Sequence, residues 1–143
     1  MEFFRSINNK VAEIVAKPAI NSVLILAARV LMAAIFIAAG LSKLGAGYAG
    51  TAGYMASVGL PTFLLPLVIL LEVGGGLALV VGFQTRLAAL ALAGFSIISA
   101  LIFHSAPDQM QQIMFMKNLG LAGGLLAFTV FGAGCLSLDA EKN

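Results

Sequence analysis

The stretch that most constrains the fold is Leu64 to Phe83, LLPLVILLEVGGGLALVVGF, because its twenty residues contain one charge, Glu72. An α-helix needs about 20 mainly apolar residues to cross the roughly 30 Å hydrocarbon core of a bilayer. We therefore interpret this stretch as a transmembrane helix. A charge near the middle of such a helix costs about 3 kcal/mol on insertion scales, so Glu72 should face other helices and find a partner there.

The composition also indicates a membrane protein. The 143 residues fit one domain, and 61% of them are hydrophobic while 10% are charged. A mean hydropathy of +1.05 is too apolar for a water-soluble fold of this size. The net charge of +2 comes with no basic stripe, so nucleic-acid binding is not predicted. A single cysteine, Cys135, excludes an internal disulfide and a CxxC redox or zinc motif.

Apolar periodicity predicts an all-α integral membrane protein with four crossings. The predicted spans are residues 23–41, 62–83, 87–103 and 113–131. Short connections make consecutive helices antiparallel neighbours, which gives an up-down-up-down four-helix bundle over residues 23–134. Residues 1–22 are predicted to form an amphipathic helix on the cytoplasmic surface of the bilayer, and residues 135–143 a cytoplasmic tail. The segment from Tyr48 to Val58 is expected to form a short helix on the outer surface.

The distribution of basic residues predicts the orientation in the membrane. The side that carries both termini holds Arg5, Lys10, Lys17, Arg86 and Lys142, whereas the opposite side holds Lys43 and Lys117. Loops rich in lysine and arginine stay in the cytoplasm, so both termini are predicted to be cytoplasmic.

Arg29 is the partner that the sequence predicts for Glu72. Counting about 1.5 Å per residue from Leu41 and from Thr62 puts the two charges at a similar depth. An arginine can bind a carboxylate through two parallel hydrogen bonds, and each group would satisfy the other inside the bilayer. Two interpretations stay open: the pair fixes the register of the bundle, or it belongs to a ligand or proton site.

A second polar group is predicted at the outer ends of the spans. It comprises Lys43, His104, Lys117 and Asn118. A lone histidine does not indicate a metal site. These side chains could form a pocket for an anion or a quinone headgroup, with His104 as the candidate catalytic residue that exchanges protons. The alternative is that both lysines extend to the membrane surface and His104 ends a helix.

Small residues predict where the helices pack closely. Spacings of three to four residues between small side chains allow close approach of helices in lipid. The residues predicted to pack in this way are Gly74, Gly75, Gly76, Gly120 and Gly124.

Several motifs make the sequence resemble the DoxX family of bacterial inner-membrane proteins. They are Arg29 with FIAAGLSKL, GYMASVGLP, LEVGGGLALVVGFQTR, the pair Phe103 and His104, and MKNLGLAGG. The resemblance covers roughly Leu24 to Ser137 and is to the branch described as inner-membrane proteins or candidate oxidoreductases.

The resemblance implies a four-helix protein of the bacterial inner membrane, with relatives associated with quinone-linked oxidoreduction or with oxidative and thiol stress. The sequence has no haem-attachment motif and no dinucleotide fingerprint. Our leading hypothesis is therefore a membrane subunit of a quinone-linked oxidoreductase, with quinone as cofactor and a soluble redox partner. The alternatives are a non-catalytic scaffold that recruits soluble proteins, and a small-solute or proton carrier. A homo-oligomer stays open.

Overall fold

The computed structural model describes residues 1–140 as a bundle of α-helices. The helices are α1 (Glu2–Val15), α2 (Pro18–Ser42), α3 (Ala46–Ser57), α4 (Leu65–Val81), α5 (Thr85–Phe103) and α6 (Gln109–Phe131), with a 3₁₀ turn at Thr62–Leu64 before α4. Residues 141–143 of the predicted tail, including Lys142, lie outside the described residues. Within residues 1–140, four helices are long and apolar enough to cross a membrane, namely α2, α4 with its 3₁₀ turn, α5 and α6.

Local sequence explains where the helices begin and end. Pro18 occupies the first turn of α2, where its missing N–H group costs nothing. Gly82 ends α4 in the left-handed conformation, with φ of 69°, which glycine adopts without strain. The side chain of Asp108 accepts a hydrogen bond of 2.9 Å from the backbone N–H of Gln111 and so caps the start of α6.

The bundle packs as neighbouring antiparallel helices, with α2 against α4, α4 against α5 and α5 against α6. Its core includes Phe36, Leu79, Leu92 and Leu125. The outer surface is also apolar, and side chains such as Leu31, Leu70 and Leu101 are more than half exposed. Apolar surface on all sides of the helices is what lipid requires. The predicted all-α membrane bundle is confirmed.

Close contacts between α2 and α4 fix their register. A Cβ atom added to Gly40 would lie 2.6 Å from Val73 Cγ2 and 3.1 Å from Glu72 Cβ, so the two backbones nearly touch there. A Cβ atom on Gly76 would lie 2.6 Å from Ile37 Cγ1. The end of α2 therefore lies beside Glu72, not beside the helical start at Thr62.

The glycines predicted to pack divide into two groups. Added Cβ atoms would meet α5 at Gly75 and α2 at Gly76 and Gly124. A Cβ atom added at Gly74 would have Leu70 of the same helix as its nearest neighbour, 3.8 Å away, and one added at Gly120 would meet no side chain and no other helix of residues 1–140 within 4 Å. The prediction was wrong for Gly74 and Gly120, because spacing along a helix does not say which face meets a neighbour.

The first helix stands apart from the bundle. None of the fourteen residues of α1 is buried, and the apolar side chains Phe3, Phe4, Ile7 and Val11 form one exposed face. Only Ala16 and Lys17 separate α1 from the first residue of α2. These features make α1 an amphipathic helix whose apolar face does not pack on the bundle.

Candidate functional site

A cavity of about 550 Å³ lies at the end of the bundle where α2 ends and α4 begins. Its wall is largely apolar and is contributed by α3, α4 and α5. The polar or aromatic members of the wall are Lys43, Thr51, Tyr54, Glu72, Phe95, Ser99, Phe103 and His104. Ligand sites in proteins have this character, with an apolar wall and a few polar groups that fix orientation.

A salt bridge between Lys43 and Glu72 lies on this wall. Lys43 Nζ is 2.7 Å from Glu72 Oε2, and the side chains are 21% and 5% exposed respectively. The ammonium also donates to the carbonyl oxygen of Ala39, at 3.1 Å. An ammonium group has three N–H donors, so these two bonds within the described residues leave one donor for a ligand.

The predicted pair between Arg29 and Glu72 was wrong. Arg29 Nη1 donates to the carbonyl oxygens of Leu79 and Val80, at 3.1 Å each. Leu79 follows Glu72 by seven residues, which is about 11 Å along α4. The prediction assumed that Leu41 and Thr62 lie at one height, whereas the close contact at Gly40 places the end of α2 beside Glu72. Lys43 is therefore the cation within reach.

Arg29 instead stabilises the end of α4. The last carbonyl groups of a helix have no partner within the helix and carry its negative pole, so a buried cation is favoured there. Arg29 is fully buried and donates from Nη2 to the carbonyl oxygen of Leu136 as well. It thus ties the chain after α6 to the end of α4.

Asp139 lies beside Arg29 in the polar cluster at the end of α4. Its carboxylate accepts hydrogen bonds of 2.7 Å from the backbone N–H groups of Gln84 and Thr85 at the start of α5. Partial burial raises the pKa of Asp139, but the hydrogen bonds from Thr85 and Gln84 and the charge of Arg29 outweigh it and hold the pKa below its ordinary value. The described part of the predicted tail is thus folded back onto the bundle.

His104 ends α5 on the wall of the cavity. Its Nδ1 atom lies 2.7 Å from Oε1 of Gln111, and an amide oxygen can only accept a hydrogen bond. Nδ1 therefore carries the hydrogen, which leaves Nε2 as an acceptor when the imidazole is neutral.

The structure brings together only part of the predicted pocket. Lys43 and His104 line one cavity, whereas Lys117 and Asn118 do not. Lys117 is exposed on α6 with its Nζ atom 3.8 Å from Met114 Sδ, and Asn118 is buried within the bundle. Lys117 and Asn118 lie about two turns after the start of α6, so they are distant from the end of α5.

Sequence reasoning did not place Glu72 or Tyr54 in this cavity. Glu72 was assigned to another partner, and Tyr54 was placed only within the short helix expected on the outer surface. The signal for Tyr54 was its place in a glycine-rich segment long enough to fold over the ends of the spans.

Four membrane-crossing helices with a ligand-sized cavity at one end define a small polytopic membrane protein. The sequence profile of the DoxX family matches residues 24–105. The chain is 50% identical to inner membrane protein YqjF of Escherichia coli (strain K12) over 120 residues, which is 83% of this chain and 92% of the relative. It is 36% identical to inner membrane protein YphA of the same organism over 129 residues, or 85% and 91% of the two chains. The chain belongs to the DoxX family. No solved structure matches it.

Proposed function

We propose that this chain is a quinone-binding membrane subunit of a redox system in the bacterial inner membrane. The observation that carries the proposal is the cavity of about 550 Å³ that combines an apolar wall with Lys43, Glu72 and His104. Pockets of about 300 to 1,000 Å³ hold small organic ligands and cofactors. The names of the two relatives support the location in the inner membrane.

The residues of the cavity fit a quinone. A quinone has a flat ring, carbonyl oxygens that accept hydrogen bonds, and an apolar tail. Phe95, Phe103 and Tyr54 provide aromatic surface for a ring, and the remaining N–H donor of Lys43 suits a carbonyl oxygen. The apolar remainder of the wall suits the tail.

The polar residues would bind the ligand and hold protons. Glu72 holds the Lys43 ammonium in place through their salt bridge. When the imidazole is neutral, Nε2 of His104 can accept a hydrogen bond from a ligand hydroxyl, and when it is protonated it can donate to a carbonyl. A bound quinone would supply the two-electron redox chemistry, and a soluble redox partner would exchange electrons with it.

Quinone content and quinone affinity test the proposal. The protein purified from native membranes is expected to contain extractable quinone, and a decyl-substituted benzoquinone should raise its thermal stability. Replacing both charges, as Lys43→Met with Glu72→Met, should weaken this affinity about tenfold, since one charge-assisted hydrogen bond is lost without leaving its partner unpaired. Lys117→Met is the matched control, because Lys117 lies outside the cavity. Equal affinities for the three proteins would refute the proposal.

The exposed helix α1 favours a second candidate function, a scaffold that recruits soluble proteins to the membrane. Its polar face includes Arg5, Lys10 and Glu13, and every residue of the helix is at least partly exposed. The sequence has no tryptophan, so Phe4→Trp would introduce a single fluorescent reporter. A scaffold should show a change in its quenching by brominated lipids when a soluble partner is added. Quenching that stays constant would leave α1 as a membrane anchor only.

We also propose that both termini face the cytoplasm. Arg5, Lys10, Lys17 and Arg86 lie at the end of the bundle opposite the cavity, as the positive-inside rule requires of the cytoplasmic side. Cys135 is exposed at that same end. A membrane-impermeant thiol reagent should therefore label Cys135 in inverted vesicles but not in intact spheroplasts, and the opposite result would reverse the orientation.

A further inference from the structure

The cavity is covered by a helix that the rest of the bundle holds only loosely. Part of the cavity wall comes from α3, through Gly50, Thr51, Tyr54 and Met55. Within α3, Met55 alone is buried. The helix packs on the 3₁₀ turn before α4 and has little other contact with the described elements. Few buried apolar contacts are the mark of an element that opens locally.

Glycines within α3 and at both of its ends allow the helix to unwind and to move as a unit. Gly47, Gly50 and Gly53 lie within the helix, and glycine is less favourable than any residue but proline in a helix interior. Gly45 and Gly59 flank the helix in the left-handed region, with φ of 58° and 79°. Glycine reaches such conformations and their neighbours freely, so each end of α3 has a natural hinge.

One side chain joins α3 to the far wall of the cavity. The hydroxyl of Tyr54 donates to the carbonyl oxygen of Phe103 at 3.3 Å, and the centres of the two rings are 5.3 Å apart. Phe103 is the last residue of α5 and precedes His104. This contact closes the gap between α3 and α5 directly over the cavity.

The chemistry of the covering segment indicates lipid, not water, outside it. Residues 44–61 contain no charged side chain, and the two tyrosines of the protein, Tyr48 and Tyr54, both lie there. Tyrosine is enriched at the boundary between hydrocarbon and water. A ligand that passes between α3 and α5 would thus come from the bilayer.

We infer that α3 is a gate that unwinds between Gly45 and Gly59, with Tyr54 as its latch, and admits a membrane-dissolved amphiphile to the cavity. This inference rests on the proposed function in that the cavity binds such a ligand. Tyr54 acts as a positioning residue, because it controls the rate of access through its bond to Phe103 and not the chemistry of the ligand.

Ligand exchange rates test the gate. Phe63→Trp provides a fluorescent reporter beside the cavity, since Phe63 is exposed and does not line it. Quenching by a decyl-substituted benzoquinone then gives association and dissociation rate constants in nanodiscs. Tyr54→Phe should raise both rate constants about fivefold, the factor that one ordinary hydrogen bond represents, and change the dissociation constant less than twofold. Gly53→Ala should lower both about fivefold, because alanine stabilises the helix.

Matched variants control for unspecific effects. Tyr48→Phe changes the other tyrosine of α3, which does not line the cavity, and Gly120→Ala changes a glycine with open space on α6. Both should leave the exchange rates at the values of the parent protein. A Tyr54→Phe protein with altered affinity but unchanged association rate would overturn the gate and make Tyr54 an ordinary ligand contact.

Hydrogen exchange tests the gate without ligand. In nanodiscs, amides of α3 should exchange faster than those of α4 and α5, with Tyr54→Phe raising and Gly53→Ala lowering the α3 rates about fivefold. Protection of α3 equal to that of α5, or insensitive to both variants, would overturn the gate even if quinone binds. Conversely, a chain that binds no quinone but shows these exchange changes would refute the proposed function and keep the gate.

Discussion

The salt bridge between Lys43 and Glu72 allows a quantitative test of the register between α2 and α4. We expect Lys43→Met to lower the free energy of unfolding by about 3 kcal/mol, because it leaves the nearly buried Glu72 without its cation. We expect Glu72→Met to cost about 1.5 kcal/mol. That smaller loss reflects the 21% exposure of the Lys43 side chain, which lets water screen its charge. The double variant should lose only about 1 kcal/mol, since methionine fills similar volume and no charge is left alone.

These expectations correspond to a coupling energy of about 3.5 kcal/mol between positions 43 and 72. A double-mutant cycle with Arg29→Met and Glu72→Met should give a coupling energy of less than about 0.5 kcal/mol, because Arg29 binds the end of α4 and does not contact Glu72. Unfolding by sodium dodecyl sulfate in mixed micelles, followed by circular dichroism, provides the free energies. A larger coupling for Arg29 than for Lys43 would refute the register and restore the pair predicted from sequence.

Three further predictions follow from single contacts. Gly40→Ala should destabilise the protein by about 1 to 3 kcal/mol in the same titration, because Val73 blocks its Cβ, whereas Gly120→Ala should be neutral or slightly stabilising. Asp139→Asn should cost about 1 kcal/mol at pH 7 and progressively less as the pH falls below 3.8. The sign follows from the lowered pKa, since the charged form stabilises the fold above the ordinary value of 3.8 and this stabilisation is lost as the pH falls through the lowered value. Arg29→Met should release the segment around Leu136, which would appear as faster carboxypeptidase digestion, and unchanged digestion would show that the arginine does not hold it.

The sequence was sufficient to predict the architecture. Twenty-residue apolar stretches have one stable form in lipid, the helix, and short connections leave one bundle topology. The helix bounds differ from the predicted spans mainly at the ends, where Pro18 and Gln109 begin α2 and α6 earlier than the hydropathy indicated. The short helix expected from Tyr48 to Val58 corresponds to α3 at Ala46–Ser57.

The salt bridge between Lys43 and Glu72 was not predicted, because the depths of residues in α2 and α4 were counted from Leu41 and Thr62 as if these two residues lay at one height. A sequence shows where the apolar stretch begins, but the relative height of two helices depends on which faces come closest. Here that is decided by Gly40 and Gly76, where the absence of a Cβ atom lets α2 and α4 nearly touch. A shift of seven residues was enough to exchange the partner of Glu72 from Arg29 to Lys43.

Arg29 and Lys43 have different roles, and their hydrogen bonds show why. The guanidinium of Arg29 donates to three carbonyl oxygens of the protein itself, at the end of α4 and at Leu136, and its Nε has no hydrogen-bond partner among the described residues. Arg29 does not line the cavity, so its hydrogen bonds serve the fold. Lys43 uses two of its three donors, on Ala39 and Glu72, and its remaining donor belongs to a partly exposed ammonium on the cavity wall. An N–H donor that lies on a cavity wall and has no partner in the protein is available to a ligand. Lys43, and not Arg29, is therefore the cation that the proposed ligand site would use.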